Sequence, residues 1–250
     1  MIRFLVPAGV FLALVALFAG MAFSYDAQPD VKLLVSRFES RYRAAHTLQA
    51  TFLERYSENG RVVRVEAGTA YFRRPGKMRW EYESPEKNIF LVDGKSAWFY
   101  VPADHTVIRV PAKESTDWRT PLALLAGEMK VSRVCARIQN AMDEKPESPD
   151  HVVLFCELRG PGTVSNKQRT QESALQTGDA GEAVFFEIIK ESGELDRVLV
   201  RDPAGVGIEF RFKNWQTDPP VADSLFHFVA PPGVAIVNGE LPAANAVMNQ

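Results

Sequence analysis

The chain has 250 residues, 46% of them hydrophobic, enough for one domain with a real core. Its 29 basic and 31 acidic residues leave a net charge of -2, which offers no electrostatic footprint for nucleic acid. No block of like charge marks an interaction tail.

Residues 1–24 read as an export signal. Arg3 supplies the positive start, Phe4 to Phe23 carry no charge, and Ala22 and Ser24 place small residues at the -3 and -1 positions of a cut after Ser24. The apolar run is also long enough to span a bilayer, so an uncleaved anchor is the alternative. No Cys follows the run, so the chain is not expected to carry a lipid itself. The remainder reads as one domain over residues 25–237 and a small, polar, frayed tail over 238–250.

Residues 30–46 predict an amphipathic helix with Asp30 as N-cap. Val31, Leu34, Phe38, Tyr42 and Ala45 fall at helical spacing, and the charged residues lie elsewhere. Such a helix suits the open face of a sheet. Strands follow at 48–56 and 61–73, with Asn59-Gly60 as the turn between them. Gly68, Ala70 and Phe72 share one strand face, where small residues leave room for a helix or a ligand. Further strands are expected at 76–83, 87–92, 95–101 and 105–110. The first of these alternates cleanly, with Met78, Trp80 and Tyr82 on one face and Lys77, Arg79, Glu81 and Glu83 on the other. Asp93-Gly94 signals a hairpin, and no long connection separates the strands, so the sheet should be antiparallel.

Residues 116–127 break the pattern. Thr120 before Pro121 suits a helix start, and Leu122, Leu125 and Ala126 share a face. So short a helix must lie on something, and the mouth of a bent sheet is the natural support. Strands return at 130–138, 151–158, 183–190, 195–201 and 206–213. Between them, residues 160–182 are polar and aperiodic and read as a surface loop or insertion. Ala222 to Phe228 reads as a helical turn or a strand. The sum is a mainly β fold of ten or eleven antiparallel strands, an incomplete barrel with helices in its concave face.

Cys135 and Cys156 lie in adjacent predicted strands. Hairpin register places them opposite each other, but their strand faces disagree unless a bulge intervenes. A disulfide and two separate thiols both remain open on spacing alone.

No catalytic constellation is visible. His46, His105, His151 and His227 are scattered without metal-ligand spacing. There is no GxSxG elbow, no GxxxxGK[ST] loop and no GxGxxG fingerprint. Glu81 and Glu83 beside Arg79 read as solvated ion-pairing groups. No enzyme activity, cofactor or metal is therefore expected. The chain offers apolar surface instead, with 16 Phe, 4 Trp and 6 Met. Residues Phe72, Met78 and Trp80 under Leu122 and Leu125 either pack against each other or line a cavity for acyl chains.

Several stretches together resemble the periplasmic outer-membrane lipoprotein carrier family, LolA. These are Arg73-Arg74-Pro75 with Met78-Arg79-Trp80, Leu91-Val92-Asp93-Gly94-Lys95 with Trp98-Phe99-Tyr100-Val101-Pro102, Thr120-Pro121-Leu122 to Ala126, and Phe226-His227-Phe228 before Pro231-Pro232-Gly233-Val234. Met78 stands where an aromatic residue is common in that family. The resemblance implies an unclosed barrel with a helical lid and acyl contact by Phe72, Met78, Trp80, Leu122 and Leu125. It also implies that Arg74 holds the lid, with its bonds expected on carbonyls near Leu125 and Ala126. The implied partners are acylated lipoproteins, an inner-membrane lipoprotein-releasing ABC transporter and an outer-membrane receptor, with the protein a monomer. A sensor or glycolipid-binding protein on the same half-barrel is the alternative reading.

Overall fold

The computed structural model describes residues 30–112, 122–127, 130–159, 183–202 and 204–239. The expected signal segment, the first part of the lid stretch, the polar 160–182 segment and nearly all of the expected tail lie outside the described residues. The first element is helix α1, Val31–Arg43. Asp30 caps it, its carboxylate accepting from the Lys32 amide at 2.9 Å. Leu34, Phe38 and Tyr42 form the buried stripe that their spacing predicts.

Among the described residues, twelve strands form one sheet. They are β1 (Thr47–Glu58), β2 (Arg61–Arg73), β3 (Lys77–Ser84), β4 (Ile89–Val92), β5 (Ser96–Val101), β6 (Thr106–Pro111), β7 (Cys135–Asn140), β8 (His151–Leu158), β9 (Ala183–Ile189), β10 (Leu195–Arg201), β11 (Val206–Thr217) and β12 (Ala235–Asn238). The spatial order is β12-β6-β5-β4-β3-β2-β1-β11-β10-β9-β8-β7, so two meanders meet at the β1–β11 pair and the sheet does not close. Two further helical turns, α2 (Ala123–Ala126) and α3 (Val131–Val134), lie between β6 and β7.

The expected architecture is observed, with local differences. The strand expected at 130–138 opens as the helical turn α3 and becomes β7 only at Cys135. Strand β12 is additional and pairs with β6 in parallel, against the all-antiparallel expectation. Its four residues are all exposed, so no burial alternation marked it in the sequence. Asp223–Phe226 is a 3₁₀ turn. The Asn59-Gly60 turn has positive φ at both residues, 49° and 77°, which is the geometry a two-residue hairpin needs.

Alternation decides the two faces. Leu48, Ala50, Phe52, Phe72, Trp80 and Phe210 are among the residues that turn inward to one continuous core. Trp80, fully buried, sits at its middle, with ring centroids of Phe52, Phe210 and Phe72 at 4.8, 5.2 and 5.8 Å. Helix α1 lies in this concave face, where Phe38 meets Phe186 at 5.8 Å and Tyr42 meets Trp215 at 5.1 Å. Gly193 lets the β9–β10 turn reach the helix, since a Cβ there would lie 2.5 Å from the Arg37 carbonyl carbon. Gly68 serves backbone approach as well. An added Cβ would stand 1.9 Å from the Glu81 carbonyl oxygen, at an irregularity in the β2–β3 register.

On the convex face, the segment after β11 lies over β3 to β5. Arg79 Nη1 donates to the Leu225 carbonyl at 3.2 Å, and Phe228 stacks on Trp98 at 5.2 Å. Over β9 to β11, the β7–β8 loop is held by buried charges. Arg197 contacts Glu187 at 2.7 Å, Glu144 at 3.0 Å and Glu209 at 3.2 Å. Glu187 also receives the Glu147 amide at 2.8 Å and lies 2.9 Å from His151 Nδ1.

Cys135 and Cys156 are joined by a disulfide within the core. Cys135 pairs with Leu158 and Ile138 with Cys156, and the register shifts between Cys135 and Arg137. That irregularity is the bulge the facing argument requires, and it lets the bridge cross the ladder diagonally.

Two stability predictions follow from these contacts. Replacing Arg197 by Met strands the buried Glu187 carboxylate and should lower urea-unfolding stability by about 3–5 kcal/mol. Replacing both residues by Met should recover much of that loss, and a single variant as stable as wild type would contradict the role given to the pair. Replacing both Cys135 and Cys156 by Ser should cost about 3 kcal/mol, because a short loop in the unfolded chain is no longer closed. The shift in the unfolding midpoint measures it.

Candidate functional site: the concave core and its lid

Strands β1, β2 and β3 place the candidate side chains. Leu48 faces Phe72, and Phe72 faces Met78, so these residues form rows across the inner face. Ala70 faces Trp80 in the next row. Above them lie Leu122, just before α2, and Leu125 within it. The structure brings all five expected lipid-contacting residues, Phe72, Met78, Trp80, Leu122 and Leu125, into the same core cluster. Each is buried, Met78 at 7% exposure being the most open. The core under the lid is therefore filled by its own side chains in this state. A groove of about 670 Å³ lies on the opposite face, lined by Tyr71, Arg79, Tyr100, Leu225 and Phe228 among others, and contains none of the five.

Arg74 directly follows β2, and its position is set by register. Thr47 pairs with Arg73, so the next residue meets the junction between α1 and β1. The Arg74 amide donates to the His46 carbonyl at 2.9 Å. Its Nη1 donates to the Arg43 carbonyl at 2.6 Å and to the Ala45 carbonyl. These acceptors correct the expectation that Arg74 bonds to carbonyls near Leu125 and Ala126. The open carbonyls at the end of α1 are nearer than those of the lid, because β2 ends beside the start of β1. Burial lowers the Arg74 pKa, an effect that the nearby Asp218 carboxylate opposes. Nε and Nη2 of Arg74 are buried and have no hydrogen-bond acceptor among the described residues. Asp218 itself accepts from the amides of His46 and Thr47 at 2.8 and 3.0 Å, which keeps its pKa below the usual carboxylate value.

The lid carbonyl is held by a neighbour of Arg74. The Gly76 amide donates to the Ala126 carbonyl at 2.8 Å. Gly76 has φ +67°, so the turn after Pro75 can aim its amide at α2. A second bond ties α3 to α1, with the Val131 amide donating to Glu39 Oε1 at 2.8 Å. Sequence reasoning placed Gly76 at the start of the strand expected at 76–83 and Glu39 on the polar side of α1, and no local signal connects either to the lid. Chemically, the arrangement is an apolar interior closed by a short segment on a few polar tethers. The His151, Glu187 and Asp196 groups lie together on the outer sheet, but Arg197 and Lys213 already pair with the two carboxylates.

Comparison with known proteins gives the similarities of the chain. The family model described as outer membrane lipoprotein carrier protein LolA matches residues 43–146. An outer-membrane lipoprotein carrier protein from Nitrosomonas europaea is 26% identical over 198 residues, covering 77% of this chain and 83% of that protein. One of the same name from Methylococcus capsulatus is 39% identical over 97 residues, 38% of this chain and 45% of its own length. Among solved structures, an uncharacterized conserved protein from Thermus thermophilus aligns over 83% of this chain and 98% of its own, with a TM-score of 0.49 and 14% identity. Residues 43–146, which hold β1 to β6, α2, α3 and β7, thus match the model of the LolA outer-membrane lipoprotein carrier family.

Proposed function

We propose that this protein is a periplasmic carrier that shields the acyl chains of outer-membrane lipoproteins in the concave face of its sheet. The observation that carries the reading is the packing of Phe72, Met78 and Trp80 of the sheet beneath Leu122 and Leu125 of a lid whose described polar bonds include those from Gly76 and to Glu39. The name shared by its relatives supports the same cargo. The lipoprotein is received from an inner-membrane releasing ABC transporter and passed to the outer membrane or a receptor there. The protein acts as a monomer, exported by its N-terminal segment.

No covalent step is needed. Each acyl methylene moved from water into the core contributes about 0.8 kcal/mol, so affinity is easily supplied and must be restrained for delivery to occur. Two features restrain it. The chains must displace side chains that already fill the core, and Met78 is the flexible member of that set. They must also part α1 from the sheet edge where Arg74 binds the Arg43 and Ala45 carbonyls. Lid opening is then a two-state change that cargo and partner surfaces bias by their differential affinity.

The direct experiment incubates spheroplasts displaying labelled lipoprotein with the mature chain from Tyr25. A soluble one-to-one complex containing acylated lipoprotein supports the carrier reading. Lipoprotein that stays on the membrane, with a matched transporter present and the chain folded, contradicts it. Replacing Arg74 by Leu removes bonds that acyl entry must break. Retention of lipoprotein should tighten and transfer to outer-membrane vesicles should slow by about tenfold, the scale of one hydrogen bond to a charged group. Unchanged transfer counts against the restraint.

A further inference from the structure

Among the described residues, the polar bonds that hold α2 and α3 differ in kind. Gly76 holds the end of α2 through backbone alone. At α3 the acceptor is a side chain from another element. Lys130, the residue before α3, has no acceptor on its side chain, so the Val131 amide at the first helical position needs one from elsewhere. Glu39 provides it through Oε1 at 2.8 Å. The other oxygen, Oε2, pairs with Arg43 Nη2 at 2.7 Å. The Glu39 side chain is 16% exposed, so the bond is largely shielded from water.

Arg43 links this pair to the Arg74 junction. Its backbone carbonyl accepts from Arg74 Nη1 at 2.6 Å, one turn beyond Glu39 on the same helix. Among the described residues Arg74 makes no bond to the lid, yet it fixes the end of the helix that carries Glu39. The other end of α3 is tied to the sheet, where the Arg159 amide donates to the Val134 carbonyl at 2.9 Å and Arg159 Nε to the Ser132 carbonyl at 2.8 Å. The Glu39 bond is thus the side that joins the lid to the plug helix, while Arg159 and Gly76 join it to the sheet.

We propose that Glu39 is a positioning residue for the lid. It holds α3 against α1, and Arg74 acts on the lid through α1 and Glu39. The proposal deepens the carrier reading and rests on it for its meaning, since a lid matters only if something enters beneath it. Parting α1 from the lid breaks a charge-assisted bond at Val131 while the Arg159 tether can remain as a hinge. The ion pair with Arg43 orients the carboxylate and keeps it on α1 when the lid leaves.

The test is amide hydrogen exchange on the full mature chain, wild type against Glu39→Ala and Glu39→Gln. The Ala variant should speed exchange at Val131 by about tenfold, the effect of one hydrogen bond to a charged acceptor. Amides of Trp80 and Phe210 in the sheet should keep their wild-type rates. The Gln variant retains an acceptor oxygen and should bring the Val131 rate most of the way back. An unchanged Val131 rate in the Ala variant, an equal acceleration at Trp80 and Phe210, or a Gln variant as fast as the Ala variant would each overturn the proposal. Stopped-flow binding of dansyl-undecanoic acid reports the gate itself. Faster association in the Ala variant supports the role of Glu39, and an unaltered rate overturns it. If wild type takes up neither this probe nor lipoprotein, the carrier reading fails, and the Val131 exchange rates still decide whether Glu39 holds the lid.

Discussion

A twelve-stranded sheet that curves without closing must hide its concave face from water, and most of the structure serves that constraint. Alternation along β1, β2, β3 and β11 turns aromatic and aliphatic residues to one side, and Trp80 collects the rings of Phe52, Phe72, Phe210 and Phe212 around it. A closed barrel would bury this surface against itself. Here α1 and the lid segment do so from outside the sheet, with Phe38 and Tyr42 on one and Leu122 and Leu125 on the other. The cover is therefore separable from the sheet in a way that a strand is not. A strand is tied by a ladder of backbone bonds. Among the described residues, the lid is tied by separate bonds at Gly76, Glu39 and Arg159.

The α1–β1 junction is where these covers meet. The β1–β2 register brings Arg74 to it, and the end of α1 supplies unpaired carbonyls that a guanidinium can satisfy. Asp218 braces the same corner from β11 by accepting the His46 and Thr47 amides. The remaining buried N–H groups of Arg74 lack an acceptor among the described residues, so the closed state carries a polar cost at the point where the cover is fastened. On the opposite face, Arg197 pairs with Glu187 and Glu144 and ties the β7–β8 loop to the sheet.

Much of this was legible in the sequence because period two is a direct consequence of strand geometry. Met78, Trp80 and Tyr82 announce an inner face, and Asn59-Gly60 and Asp93-Gly94 announce turns, from local chemistry alone. Phe72, Met78 and Trp80 fall on inner strand faces for the same reason, and the family resemblance places Leu122 and Leu125 over them. What could not be read depends on register between distant segments. The acceptors of Arg74 are 29 and 31 residues away in the chain, and their proximity follows from β1 pairing with β2, which no window around Arg74 contains. The same holds for Glu39 and Val131, separated by 92 residues. The disulfide turned on a bulge, which breaks period two and leaves no periodic signature. Strand β12 is held by a parallel ladder with all its side chains exposed, so it carries no pattern of burial.

The central claim is that acyl chains enter the concave core beneath the lid and do not lie on the outer surface. Site-specific photocrosslinking tests it most directly. A benzophenone side chain is placed in turn at Phe72, at Leu125 and at Tyr100 on the convex face, and the protein is loaded with lipoprotein carrying radiolabelled acyl chains. Label joined to the probes at Phe72 and Leu125, and not to the probe at Tyr100, is the predicted result. Label joined to Tyr100 alone would contradict the account and move the binding surface to the groove under the C-terminal segment.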